Sequence, residues 1–308
     1  MQGLRWFFAI GVMLALAFAA PAGAAGTGKI VVASKIDTEG ALLGNMVIGL
    51  LQDRGYTVDN RIEIGTTKIV RQALLSGQID IYPEYTGNGA FFFHKEDDPV
   101  WTNAAAGYEM VRKLDLERNN LVWLTPAPVS NSWAIAITKA FSAANGLVSL
   151  EDFARYVAAG KRVKLAASAE FVESPSGLPA FQKTYGFELA QGQLLVLAGG
   201  DTAATIRAAA EQISGVNAAM AYSTDGAIAT LGMVVLADTK GAQIVYAPCL
   251  VVRGAVLEEH PELRALLDPL FADLSIDNLR QLSARISVNG EDPAIVALSY
   301  LKTRGFVK

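Results

Sequence analysis

The segment Tyr82-Pro83-Glu84-Tyr85-Thr86-Gly87-Asn88-Gly89 sets two tyrosines and a glutamate at the end of a β-branched run, directly before a turn of small residues. Tyr82 reads as half-buried strand packing. Tyr85, next to Thr-Gly-Asn-Gly and its backbone N–H groups, reads as a ligand contact. Trp133, Tyr222 and Tyr246 also stand at strand ends or at expected crossings of the chain. Four electron-rich rings converging on one cleft would attract a permanent cation through their quadrupoles, for roughly 0.5–2 kcal/mol per ring once water is removed. A quaternary ammonium suits such a box, because it offers no hydrogen-bond donor and cannot be neutralised by losing a proton.

Other chemistries find less support. A serine or cysteine nucleophile needs a base, and both histidines read as surface residues, His94 in the polar turn Phe93-His94-Lys95-Glu96 and His260 ahead of Pro261 at a helix start. Gly87-Asn88-Gly89 has neither the Walker spacing with its lysine nor a dinucleotide fingerprint. The carboxylates are scattered and nominate no acid–base pair, so an exported hydrolase is a remote alternative. Cys249 is the single cysteine; it has no disulfide partner and reads as a small packed residue after Pro248. With two distant histidines it cannot complete a four-ligand zinc site. No metal and no cofactor are expected. With 26 Lys and Arg against 30 Asp and Glu, a net charge of −4 and no basic run, nucleic acid is not an expected partner.

These residues need a frame to hold them. A length of 308 residues suits about two domains, and from Lys29 short β-branched runs alternate with helical patterns, the mark of an α/β fold. Ile30-Val31-Val32-Ala33 is a buried strand; Thr38, Leu42, Leu43, Met46, Val47, Leu50 and Leu51 share a helix face that Gly55 ends. A strand over 61–64 follows, then a helix capped by Gly65-Thr66-Thr67 and running to Leu75, and a strand at Ile79-Asp80-Ile81-Tyr82. This helix, Gly, strand, Tyr, hydroxyl, Gly order returns later, from Asp201-Thr202 through Gly215 to Tyr222-Ser223-Thr224-Asp225-Gly226. The echo predicts two lobes of like architecture, each presenting a tyrosine at a strand end, where open α/β sheets bind ligands. Pro126 and Pro128 force an extended crossing over 125–133, and Tyr246 to Val252 would return. The expected organisation is lobe 1 over 25–130, lobe 2 over 131–244, and a return to lobe 1 over 245–308.

Ahead of this frame Arg5 precedes an apolar run to Ala20, followed by Pro21-Ala22-Gly23-Ala24-Ala25. That is the layout of a secretory signal peptide cleaved near Ala24. With no cysteine at the cleavage point for a lipid anchor, the mature protein is expected to be a soluble periplasmic monomer.

The motifs Ser34-Lys35-Ile36-Asp37-Thr38-Glu39, Asp80 through Gly87, Tyr222 through Gly226 and Tyr246 through Arg253 resemble the substrate-binding proteins of osmoprotectant ABC transporters, the glycine betaine, choline and proline betaine family. Gly89-Ala90-Phe91-Phe92-Phe93 and Leu124-Thr125-Pro126-Ala127-Pro128 add a likeness to its OsmF type. The similarity covers essentially the whole mature chain. It implies the two-lobed periplasmic-binding-protein fold of type II, hinged on two crossover strands, closing on an osmolyte and delivering it to a membrane permease. Carried over by motif, the family's aromatic cage falls on Tyr85, Trp133, Tyr222 and Tyr246. Lys35 matches a lysine near the ligand carboxylate, Asn88 and Asn131 match polar cleft positions, and Thr224 joins them from the second-lobe motif. One departure stands out. Where the family often reads Phe-x-x-Arg-x-Asp-Gly, this chain has Phe171-Val172-Glu173-Ser174-Pro175-Ser176-Gly177, so Ser174 replaces an arginine that clamps the betaine carboxylate. The implied glycine betaine affinity is low, and choline, an amino acid or another compatible solute are the alternative ligands.

Overall fold

The structure, a computed structural model, describes residues 29–197 and 202–308. The expected signal segment lies outside them, as does Asp201, which opens the second copy of the echo. In chain order the strands are β1 (Lys29–Lys35), β2 (Thr57–Gly65), β3 (Ile81–Tyr85), β4 (Leu121–Trp123), β5 (Trp133–Thr138), β6 (Leu165–Ser168), β7 (Leu194–Leu197), β8 (Ala218–Tyr222), β9 (Met233–Val235) and β10 (Pro248–Arg253). Among the described residues they form two five-stranded sheets, β2-β1-β3-β10-β4 and β7-β6-β8-β5-β9.

The two sheets share one plan. Each has a central strand, β3 or β8, with two strands parallel to it on one side and, on the other, two strands each antiparallel to its neighbour. Helix Thr67–Leu75 leads into β3 and helix Thr202–Ala210 into β8. Tyr85 and Tyr222, the echoed tyrosines, therefore close the central strand of their respective sheets. Alternation along the strands sends Ile30, Val32, Leu250 and Val252 to one core of the first sheet and Ala33, Tyr82, Cys249 and Val251 to the other. In the second sheet Ile135, Ile137 and Met220 part in the same way from Ala136, Ala219 and Ala221. Both faces of each sheet are thus covered, as its largely parallel half requires.

The third strand begins two residues later than its pattern predicts and runs on through Pro83. A proline fits there because β1 pairs with β3 only at Val32 and Ile81, so the missing N–H falls where that ladder has ended. Helix Thr38–Asp53 forms as its spacing predicts, with the Asp37 side chain accepting from Gly40 N at 2.7 Å. His260 corrects the sequence reading. Expected at the surface, it is 6% exposed, packed edge-on to the Tyr56 ring with centroids 5.6 Å apart, because the C-terminal helices fold back over the first sheet.

The chain passes from the first sheet to the second over residues 124–132 and returns over 236–247. The crossings are joined by Leu124 N to Leu250 O (2.9 Å), Ala127 N to Pro248 O (2.8 Å) and Asn131 N to Tyr246 O (2.8 Å). The C-terminal segment touches more than the first sheet. Helix Ile276–Ser287 buries Leu279 and Leu282 with the helix Thr38–Asp53, while its Ala284 lies so close to Gly226 that a Cβ there would come within 2.2 Å of Ala284 N. Its Arg280 Nε donates to Ser223 O at 2.8 Å.

Candidate functional site

The first residue of β5 and the last of β8 are register partners, and they are Trp133 and Tyr222. Cross-strand pairing puts their side chains on one face. The rings lie 6.5 Å apart with 22° between their planes, two tiles of one wall, and Phe171 supports Trp133 edge-on at 5.6 Å. Burial raises the Tyr222 hydroxyl above its ordinary titration, and the neighbouring Trp133 indole works against the rise. That indole N–H is buried without a well-formed hydrogen bond.

Tyr85 is held more tightly. Its hydroxyl donates to Glu39 Oε1 at 2.8 Å, and the Lys35 ammonium sits 4.1 Å from its ring centroid. Lys35 is in turn paired with Glu84 at 2.7 Å, both side chains buried. The Glu84 carboxylate also accepts from Tyr85 N (2.7 Å), Asn88 Nδ2 (2.7 Å) and the Tyr82 hydroxyl (2.9 Å). One face of Tyr85 is therefore taken by an internal cation whose charge Glu84 balances. Lys35 and Asn88, both expected to meet a ligand, are brought together on this carboxylate.

Tyr246 comes from the return crossing. Its backbone N donates to Ser130 Oγ at 2.9 Å, and its ring lies against Gly87, where a Cβ would be 2.8 Å from Tyr246 Cδ1. The glycine in the Thr-Gly-Asn-Gly turn thus makes room for a ring, a purpose its sequence context does not reveal. Burial drives the Tyr85 and Tyr246 hydroxyls far above their ordinary titration. Both are neutral phenols, the form whose ring face attracts a cation without carrying charge.

Asn131, on the first crossing, donates from Nδ2 to Glu39 Oε1 at 3.2 Å. Glu39 is 6% exposed and titrates at about 7, pushed up mainly by burial and further by the Asp37 and Asp225 charges, against the pull of the Thr224 and Tyr85 hydroxyls. Tyr85 from the first sheet, Asn131 from a crossing and Thr224 beyond the end of β8 all meet this one carboxyl.

The family model for the substrate binding domain of ABC-type glycine betaine transport systems matches residues 28–303. The chain belongs to this family. It is 56% identical over 277 residues to the glycine betaine-binding protein YehZ of Escherichia coli, covering 90% of this chain and 91% of YehZ. A glycine-betaine-binding protein of Pseudomonas aeruginosa is 30% identical over 287 residues, 91% of this chain and 89% of that one. The apo structure of YehZ from Escherichia coli superposes with a TM-score of 0.84 at 55% identity, covering 91% of this chain and all of that one. Two sheets joined by two crossings are thus the α/β periplasmic-binding-protein fold of this substrate-binding family.

Against that family background, Ser174 and Ser176 pair with each other, Oγ to Oγ at 3.0 Å, in the turn after helix Ala169–Glu173. Gln243 Nε2 fixes this turn through Ser176 O at 2.9 Å. The turn reaches the ring wall through Phe171, which packs on Trp133. It presents two neutral hydroxyls, those of Ser174 and Ser176. Glu39 is the residue that sequence reasoning passed over. It lies in the first turn of a helix capped by Asp37, where an acidic side chain already has a sufficient explanation in the helix dipole. The polar types of Asn131 and Thr224 carried the available signal, but their convergence on Glu39 is tertiary.

Proposed function

We propose that the mature chain is an exported solute-binding protein that takes a quaternary-ammonium osmolyte of the glycine betaine kind between its sheets and hands it to the permease of an ABC importer. The observation that carries this reading is the register pair Trp133 and Tyr222, a two-ring wall opening toward the crossings from which Tyr246 and Asn131 project. Tyr85, Trp133, Tyr222 and Tyr246 form the cage; Asn88, Asn131, Thr224 and Ser174 supply its polar edge, and Lys35 acts through the Tyr85 face it covers. YehZ and the Pseudomonas aeruginosa relative are both named for glycine betaine, which supports the ligand class. We set the lobe limits at 130/131 and 244/245, within the crossings, with hinge closure completing the cage. Ligand then favours the closed form by its greater affinity for it. Removal of residues 1–24 as a signal peptide would leave a periplasmic monomer without a lipid anchor. The family is one of binding domains, and no catalytic step is proposed.

Calorimetric titration with glycine betaine, choline and proline betaine tests the reading: at least one should bind at or below millimolar concentration, and binding of none would overturn it. A second reading, with choline or another solute lacking a carboxylate as the preferred ligand, is favoured by the neutral Ser174–Ser176 pair and by the balanced charge of Lys35. A charge-assisted hydrogen bond contributes about 1.5–3 kcal/mol, so Ser174→Arg should tighten glycine betaine roughly ten- to a hundredfold and leave choline little changed. Equal effects on both ligands would reject a missing carboxylate clamp.

A further inference from the structure

We propose that Glu39 is a specificity-determining residue: ionised, it favours a quaternary ammonium that carries no carboxylate, and protonated, it admits a carboxylate-bearing betaine. The inference rests on the ligand class proposed above and adds the group that chooses within it.

The geometry puts this carboxyl where the parts of the site meet. Oε1 accepts the Tyr85 hydroxyl at 2.8 Å and Asn131 Nδ2 at 3.2 Å. Oε2 is buried without a well-formed hydrogen bond; the Thr224 hydroxyl is near enough to lower the carboxyl's titration but does not complete a bond to it. A buried polar atom left in this way is costly and calls for a partner. The charges facing it come from three directions. Asp37 at the helix cap and Asp225 beyond β8 both oppose a further negative charge, and the Lys35 ammonium across the Tyr85 ring is balanced by Glu84. Thr224 and Asn131 bring neutral groups from the second lobe and the crossing.

An ionised Glu39 adds attraction for a trimethylammonium group and repulsion for a ligand carboxylate, both strengthened by the low local dielectric. A protonated Glu39 ends that repulsion and gives Oε2 a proton to donate. Titration at about 7 puts this change between pH 5.5 and pH 8.5, where a betaine carboxylate stays ionised and choline stays cationic throughout. The histidines, the side chains that ordinarily titrate in this range, lie elsewhere: His260 packs on Tyr56 and His94 is exposed in its turn.

The test is the pH profile of affinity, measured by calorimetry for glycine betaine and choline with the unaltered protein and with Glu39→Gln. Lowering the pH from 8.5 to 5.5 should tighten glycine betaine and weaken choline, each by about tenfold, and Glu39→Gln should flatten both profiles. The crossing of the two curves in the unaltered protein carries the test even if the variant folds poorly. Parallel profiles for two ligands that both bind, or opposite profiles that survive Glu39→Gln, would overturn the role of Glu39 alone. Binding of neither ligand at any pH would overturn it together with the ligand class.

Discussion

Tyr222→Ala should weaken quaternary-ammonium binding by roughly 5- to 700-fold while the protein stays folded. The ring forms half of the wall made with Trp133 and closes the central strand of the second sheet. Its removal loses one cation–π contact and frees the neighbouring indole, which rests edge-on against Phe171 on its other side. Two rings at about 0.5–2 kcal/mol each when desolvated give about 1–4 kcal/mol, at 1.4 kcal/mol per tenfold. Tyr222→Phe keeps the ring face and should lose no more than a few-fold, since a trimethylammonium group packed on that face offers the hydroxyl neither a donor nor an acceptor. Calorimetry on the two variants checks the pair, with a thermal melt of each as the control for folding. Equal losses would shift the weight of binding from the ring face to the hydroxyl.

Glu84→Gln should be the most destabilising single change in the site. The carboxylate is fully buried, balances Lys35 and gathers three further hydrogen bonds. Replacing it with an amide strands a buried ammonium, and breaking such a pair from one side costs about 3–5 kcal/mol. In a protein of this size a thermal midpoint falls roughly 2–4 °C per kcal/mol, so a drop of about 6–20 °C is expected. Lys35→Met added to Glu84→Gln removes the stranded charge and should recover part of the loss. Differential scanning calorimetry reads both variants. A single-variant loss below about 1 kcal/mol would mean that the pair is hydrated and that Lys35 is free to meet a ligand.

The sequence makes the frame visible because the frame is local. Helix Thr38–Asp53 follows from its apolar spacing and its Asp37 cap, and the echo around Tyr85 and Tyr222 identifies the central strand of each sheet from a helix, a glycine and a tyrosine in order. Trp133 could be found because Pro126 and Pro128 announce an extended crossing that ends at it. What stays hidden depends on register. Lys35 and Glu84 are 49 residues apart and meet because β1 and β3 lie side by side, a pairing that neither segment encodes alone. Glu39 already had a local reason to exist, so its place between Tyr85, Asn131 and Thr224 left no mark in the chain. His260 is buried by C-terminal helices that arrive from elsewhere, and Gly87 is glycine because of a ring more than 150 residues later.

The central claim is that one cation is held by rings from both sides of the crossings. A crystal structure of the chain with glycine betaine or choline bound tests it most directly. The account predicts a trimethylammonium group within about 6 Å of the Trp133, Tyr222 and Tyr246 ring centroids, with Tyr85 and Glu39 completing the site from the first sheet. A ligand held against one sheet alone, or with its ammonium turned away from these rings, would contradict it.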